Sequence, residues 1–271
     1  MNLYPRDTRG ALARIAAESR ALLEISALLA VQRELYHSVS AGNGQPVILV
    51  PGFTATDRLM GRLRRFLNDC GYRARGWGQG RNLGVRRDLL DGLAARVRET
   101  AALTGRPVTL IGWSGGGMYA RACASLQPDQ VRQVITLGTP FKLTEDTLHY
   151  LPRGIYRLHQ RLSPGDSQPV AEIDHSLWYR TPPVPSTSLY SEQDALSPWP
   201  FCLDPRDEST ENIHLRCSHA AMPYNPLVYH LICDRLAQPE AQWAAFEVTG
   251  WRRRWYSSTG LEQFPWGASL A

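Results

Sequence analysis

Three short runs, PVILVP (46–51), PVTLIG (107–112) and VRQVITL (131–137), are nearly continuous in apolar and β-branched residues. A strand with one wet face would alternate polar and apolar positions. Runs without that alternation belong to strands covered on both faces, the condition of a parallel sheet. Between and after them the pattern changes to helical spacing, at 59–70, 89–103 and 116–126. Strand and helix in alternation predict βαβ crossovers and a mostly parallel sheet with helices on both faces. Further strands are predicted at 72–77, 187–190 and 213–217, with a last helix at 226–236.

A chain of 271 residues, 43% hydrophobic and 20% charged, can build one large domain with a real core. Helical spacing over 9–36 places a helical segment within 1–40, closed by the turn Gly42-Asn43-Gly44. The stretch 141–185 breaks the rhythm with Pro152, Pro164, Pro169, Pro182, Pro183 and Pro185, and is read as a small cap inserted over the sheet. A C-terminal tail, 240–271, completes the single domain.

The apolar stretch 15–31 is interrupted by Glu18, Arg20 and Glu24, too charged and too short to span a bilayer. With no export signal visible, and five cysteines outside any dense framework, the expectation is a cytoplasmic protein with free thiols, ahead of a Cys202–Cys217 bridge. The net charge of +5 is carried by scattered arginines, Lys142 being the one lysine. The densest run, Arg252-Arg253-Arg254, is too short to make a nucleic-acid surface. A mildly basic surface would still help approach to anionic substrates or peripheral contact with a membrane.

Chemistry enters at Gly112-Trp113-Ser114-Gly115-Gly116, which satisfies G-x-S-x-G. The pattern alone is common in Gly-rich loops, but here it directly follows a buried strand and directly precedes a helix. A serine at that sharp turn takes a strained backbone, and side chains two residues before or after it would collide. The geometry lifts Oγ clear of the sheet and turns the following N–H groups toward a developing oxyanion. Ser114 is therefore the expected nucleophile and Gly115 one oxyanion donor. The other donor belongs to the loop leaving the first strand, Pro51-Gly52-Phe53, with Phe53 ahead of Thr54.

Taken together, PGFTATD (51–57), GWGQGRNLG (76–84), LIGWSGGGMYAR (110–121), VITLGTPF (134–141), YSEQDALSPW (190–199) and SHAAMPYNP (218–226) resemble a bacterial α/β-hydrolase of the serine esterase/lipase group. The likeness covers most of 46–238. It implies an acid after the strand ending at Tyr190 and a base after the strand ending at Cys217. The chain order of this fold, Ser…Asp/Glu…His, leads to the same place. Asp194 is the expected acid, ahead of Glu192, Asp204 and Asp207; the latter two read as solvated loop charge. His219 is the expected base. Of the other histidines, His214 falls within a strand, His37 near the N-terminal helix, and His149, His159 and His175 in the cap. His230 with Asp234 reads as a surface pair on the last helix.

No metal or cofactor site is expected: there is no H-E-x-x-H or C-x-x-C, and the glycines at 76–80 miss the dinucleotide spacing. The aromatics Trp178, Tyr179, Trp199 and Phe201 would line an acyl pocket or simply fill core. The expected activity is hydrolysis of a small-molecule or lipid ester through a covalent acyl-enzyme. An acyltransferase or thioesterase with the same triad, and a non-catalytic binder on the same scaffold, are the alternatives.

Overall fold

The computed structural model describes residues 18–162, 173–239 and 242–258. The three apolar runs become β1 (Pro46–Val50), β3 (Val108–Trp113) and β4 (Val131–Leu137), paired side by side and parallel. β2 (Arg73–Gly76) lies outside β1, and β5 (Ser186–Tyr190) and β6 (Thr210–Leu215) extend the other edge. The sheet order is β2-β1-β3-β4-β5-β6-β7, parallel except for the last strand. That strand, β7 (Tyr256–Ser258), comes from the tail, where the sequence pattern offers no alternation long enough to announce it. It runs antiparallel to β6, and the buried carboxylate of Glu211 on β6 accepts the Phe246 N–H at 2.6 Å, anchoring the same tail.

Alternate residues of the central strands feed two separate cores. Val47, Leu49, Ile111, Ile135 and Leu137 pack with α1 (Ala21–Ser38), α2 (Gly61–Asp69) and α7 (Pro226–Ala237) through Leu28, Leu63, Phe66 and Leu231. Ile48, Val50, Leu110 and Val134 face the opposite way, onto α3 (Arg87–Thr104) and α4 (Gly115–Leu126) through Leu90, Leu93 and Ala120. Burial on both faces is why these strands lack polar alternation. Fully burying one such aliphatic side chain contributes about 1.5–3 kcal/mol, and both layers supply such side chains.

Helix ends follow local rules. α3 stops at Gly105, whose φ of 64° is the left-handed conformation of a C-terminal glycine. α7 opens with Pro226 behind Asn225, whose side chain accepts the Leu227 N–H.

Between β4 and β5 the described chain forms α5 (Arg153–Leu162) and α6 (Ser176–Tyr179); residues 163–172 of this stretch lie outside the described residues. α6 is tied to α4 by Arg121, whose Nε donates to Trp178 O at 2.7 Å and whose Nη2 donates to Arg180 O at 2.8 Å. Lys142 Nζ adds a bond to Tyr179 O at 2.7 Å. Arg121 also forms a two-pronged ion pair with Asp204, at 2.7 and 2.8 Å, with both side chains wholly buried. Asp204 is thus no solvated loop charge: only the fold brings an arginine from 83 residues away to meet it.

His230 differs from expectation in the same way. It is buried, with its ring edge-on to Trp251 at 4.9 Å, while Asp234 pairs with Arg235 and Arg252. Cys202 and Cys217 are buried free thiols. No helix among the described residues is long and apolar enough to cross a membrane.

Candidate active site

In an open parallel sheet the loops leaving the carboxyl ends of the strands form the rim where ligands bind, and the reversal of strand order opens a crevice there. Here the reversal falls between β1 and β3. Ser114 follows β3 directly, with φ 54° and ψ −132°, a strained conformation for a residue with a side chain. The strain persists because its neighbours over-determine it. Ser114 N donates to Leu137 O at 2.8 Å, and Ser114 O accepts both Gly117 N at 3.0 Å and Thr139 Oγ1 at 2.8 Å. A Cβ on Gly116 would stand 2.3 Å from the carbonyl oxygen of Val50, so the turn can close only with glycine there.

The loop after β1 lies against this elbow. A Cβ on Gly52 would come within 3.0 Å of Ser114 Cβ, and one on Gly115 within 3.6 Å of Phe53 N. The Phe53 N–H and Gly115 are therefore neighbours beside the serine. Thr54, the alternative donor, has its N–H committed to Asn82 O at 2.6 Å and its φ at 64°. Asn82 is wholly buried and staples the loop, its Nδ2 donating to Pro51 O at 2.8 Å. Nothing in the spacing of the sequence singled out Asn82; the glycines around it were the visible signal.

Asp194 follows β5 and His219 follows β6; both are only 3% exposed. Imidazole Nδ1 and carboxylate Oδ2 are 2.6 Å apart. Asp194 Oδ1 accepts the backbone N–H groups of Leu196 and Ser197 at 2.8 and 2.7 Å, which fixes the carboxylate plane. With Nδ1 bound to the carboxylate, the neutral ring keeps Nε2 as its acceptor. Burial disfavours the imidazolium, but the Asp194 charge and hydrogen bond, with the field of Glu18, outweigh it and hold the His219 pKa above the ordinary histidine value.

Ser114 and the Asp194–His219 pair meet across the end of β4. Ser114 contacts Leu137 and Thr139, while the residue between them, Gly138, has φ 54° and turns its Cα toward the pair. A Cβ there would be 2.9 Å from Asp194 Oδ2 and 3.1 Å from His219 Nδ1. Trp113, beside the serine, donates its indole N–H to His219 O at 3.2 Å and packs against the imidazole at 5.5 Å. No hydrogen bond joins Ser114 Oγ to His219 among the described residues, and such contacts commonly tighten only with substrate bound.

Strand order, strained elbow and the buried Asp194–His219 pair together fit one architecture, and the sequence profile of the alpha/beta hydrolase family matches residues 47–261. The chain belongs to the alpha/beta hydrolase family. Among solved structures, this hydrolase is similar to Aspergillus fumigatus lipase B, with TM-score 0.52 and 18% identity over 73% of this chain and 53% of that one. It is also similar to Bacillus licheniformis lipase BlEst2 in its propeptide form, with TM-score 0.50 and 18% identity over 76% and 53%. The hydrolase thus spans about half the length of each, and identities at this level speak to the fold alone. Among its described residues no three His, Cys, Asp or Glu side chains gather as a metal site.

Proposed function

We propose that this hydrolase cleaves carboxylic esters, with Ser114 as nucleophile, His219 as general base and Asp194 as the acid that orients it. The buried Asp194–His219 pair at 2.6 Å, beside a serine held at φ 54°, carries the reading. A binding protein has no need of a strained serine elbow. Ser114 Oγ attacks the ester carbonyl while its proton passes to His219 Nε2, and the oxyanion is held by the N–H groups of Gly115 and Phe53. Collapse of the tetrahedral intermediate expels the alcohol, which takes the proton from His219. Water, deprotonated by the same imidazole, then releases the acid and restores the serine.

In this reading the chain acts as a single domain on a small-molecule or lipid ester, with the described parts of the insertion, 141–162 and 173–185, as its cap. The two similar structures are named lipases, which makes esters of graded acyl length the natural first substrates. Wild type and Ser114→Ala are compared on nitrophenyl esters from short to long chain. The expected result is turnover that falls by up to about a millionfold in the variant. A folded wild type inert on every ester, yet active on thioesters or in transfer to added alcohols, would replace the hydrolytic reading with the thioesterase or acyltransferase one.

A further inference from the structure

The loop that carries His219 turns three successive backbone N–H groups toward the N-terminal segment. Ser218 N donates to both carboxylate oxygens of Glu24, each at 3.1 Å. His219 N donates to Glu18 Oε1 and Ala220 N to Glu18 Oε2, both at 3.0 Å. Glu18 Oε1 also accepts the N–H of Ala195, the residue after Asp194, at 3.1 Å. One carboxylate therefore spans the acid loop and the base loop. On the other side of Asp194, Arg20 Nη1 donates to Gln193 Oε1 at 2.7 Å. These loops leave different strands, and a second bridge between them comes from Ser191 Oγ, which accepts Cys217 N at 3.2 Å.

We infer that Glu18 and Glu24 are positioning residues: through their carboxylates the N-terminal segment holds the loops of Asp194 and His219 in fixed register. The inference rests on the triad reading. Charge-assisted bonds from backbone N–H groups to carboxylate are among the stronger ones available to a loop, and a consecutive set of N–H groups is a ready anion seat. Glu24 pays for its place, since burial raises its carboxyl pKa against the lowering pull of the Ser218 N–H and Arg20. Such a burial is tolerated where the bonds are needed.

Glu18 adds an electrostatic effect. The charged groups acting on His219 are Asp194 from the acid loop and Glu18 from the N-terminal segment, both favouring the imidazolium. Arg20 and Glu24 sit further along that segment, Glu24 beside Ser218, and Trp113 presents an uncharged indole from β3. Loss of the Glu18 charge must lower the proton affinity of the imidazole, an effect that mere loosening of a helix would not produce.

The test uses the full chain as wild type, Glu18→Gln, Glu18→Ala, Glu24→Gln and Ser114→Ala. The first readout is the rate of labelling by a fluorophosphonate across pH, a reaction in which Oγ displaces fluoride and its proton passes to His219. The second is kcat and KM on the nitrophenyl ester preferred by wild type. Glu18→Gln is expected to label and turn over about tenfold more slowly or worse, with KM within about twofold, since small misplacements of a catalytic group have costs of this order. The acid limb of its pH profile is expected to move to lower pH. Glu24→Gln should slow the same steps. If Glu18→Ala does not fold, Glu18→Gln still decides, because it keeps an acceptor oxygen while losing the charge. A folded Glu18→Gln with wild-type rates, or a slowed one whose acid limb has not moved, overturns the positioning role and leaves the triad intact. A wild type that does not label, or a Ser114→Ala that labels as wild type does, overturns the triad reading itself.

Discussion

At the scale of single residues, the proposed mechanism makes the imidazole of His219 the group that controls the pH response. As the proposed base it can accept the serine proton only when neutral. Because Asp194 and Glu18 raise its pKa above the ordinary histidine value of about 6.5, protonation sets in at higher pH than it would for a free histidine. The proposed esterase activity should therefore decline on the acid side from above that value, as kcat/KM measured across pH would report. Asp194→Asn removes the charge that opposes burial and disturbs the tautomer that presents Nε2. Its kcat is expected to fall about 10⁴-fold, with the residual acid limb at lower pH than in wild type. Retention of wild-type kcat in that variant would move the acid role elsewhere, and Asp204 is not free to take it, being locked to Arg121.

At the scale of elements, the carboxyl end of β4 joins Ser114 to the Asp194–His219 pair. Leu137 and Thr139 clamp the backbone of Ser114, and Gly138 between them leaves space for Asp194 and His219. Gly138→Ala would place a methyl 2.9 Å from the carboxylate and force a side chain into φ 54°. The backbone penalty is about 1–3 kcal/mol, within reach of a fold that stays intact. A displaced imidazole should lower kcat by about 10²-fold, so a steady-state assay with a thermal melt beside it separates the two effects. The Thr-Leu-Gly-Thr-Pro run served only as part of the family likeness. What Gly138 makes room for could not be read from it, because its neighbours come from the loops after β5 and β6, more than fifty residues downstream.

At the scale of the molecule, two cores on opposite faces of one sheet are pinned by buried ions. Arg121 donates to Asp204 and to the carbonyls of Trp178 and Arg180, with its guanidinium 3.6 Å over the ring of Phe141. One side chain thus connects α4, the chain following α6, and the loop before β6. Asp204→Asn leaves the guanidinium buried with no carboxylate, a loss of about 3–5 kcal/mol. Chemical denaturation should show the midpoint falling by that equivalent, and a change under 1 kcal/mol would mean that the carbonyls alone suffice. The tail enters the same accounting, since β7 and Glu211 fasten it to the edge of the sheet.

Much of this was legible from short stretches of chain. An apolar run of five to seven residues already states that both faces of its strand are covered, and a serine between strand and helix, flanked by glycines, states that the turn is strained. Those two are local properties, written within a dozen residues. The order of the elements along the chain was enough to nominate Asp194 and His219, because each follows its strand. The partners of Asp204, the burial of His230, the edge strand at 256–258 and the bonds of Glu18 and Glu24 to the acid and base loops were decided only by tertiary structure. Each depends on groups far apart in the chain, and a charge or a short polar segment carries no mark of what it will meet. Local sequence sets backbone conformation and which faces are apolar; the environment of a polar atom is set by whatever the closed fold brings beside it.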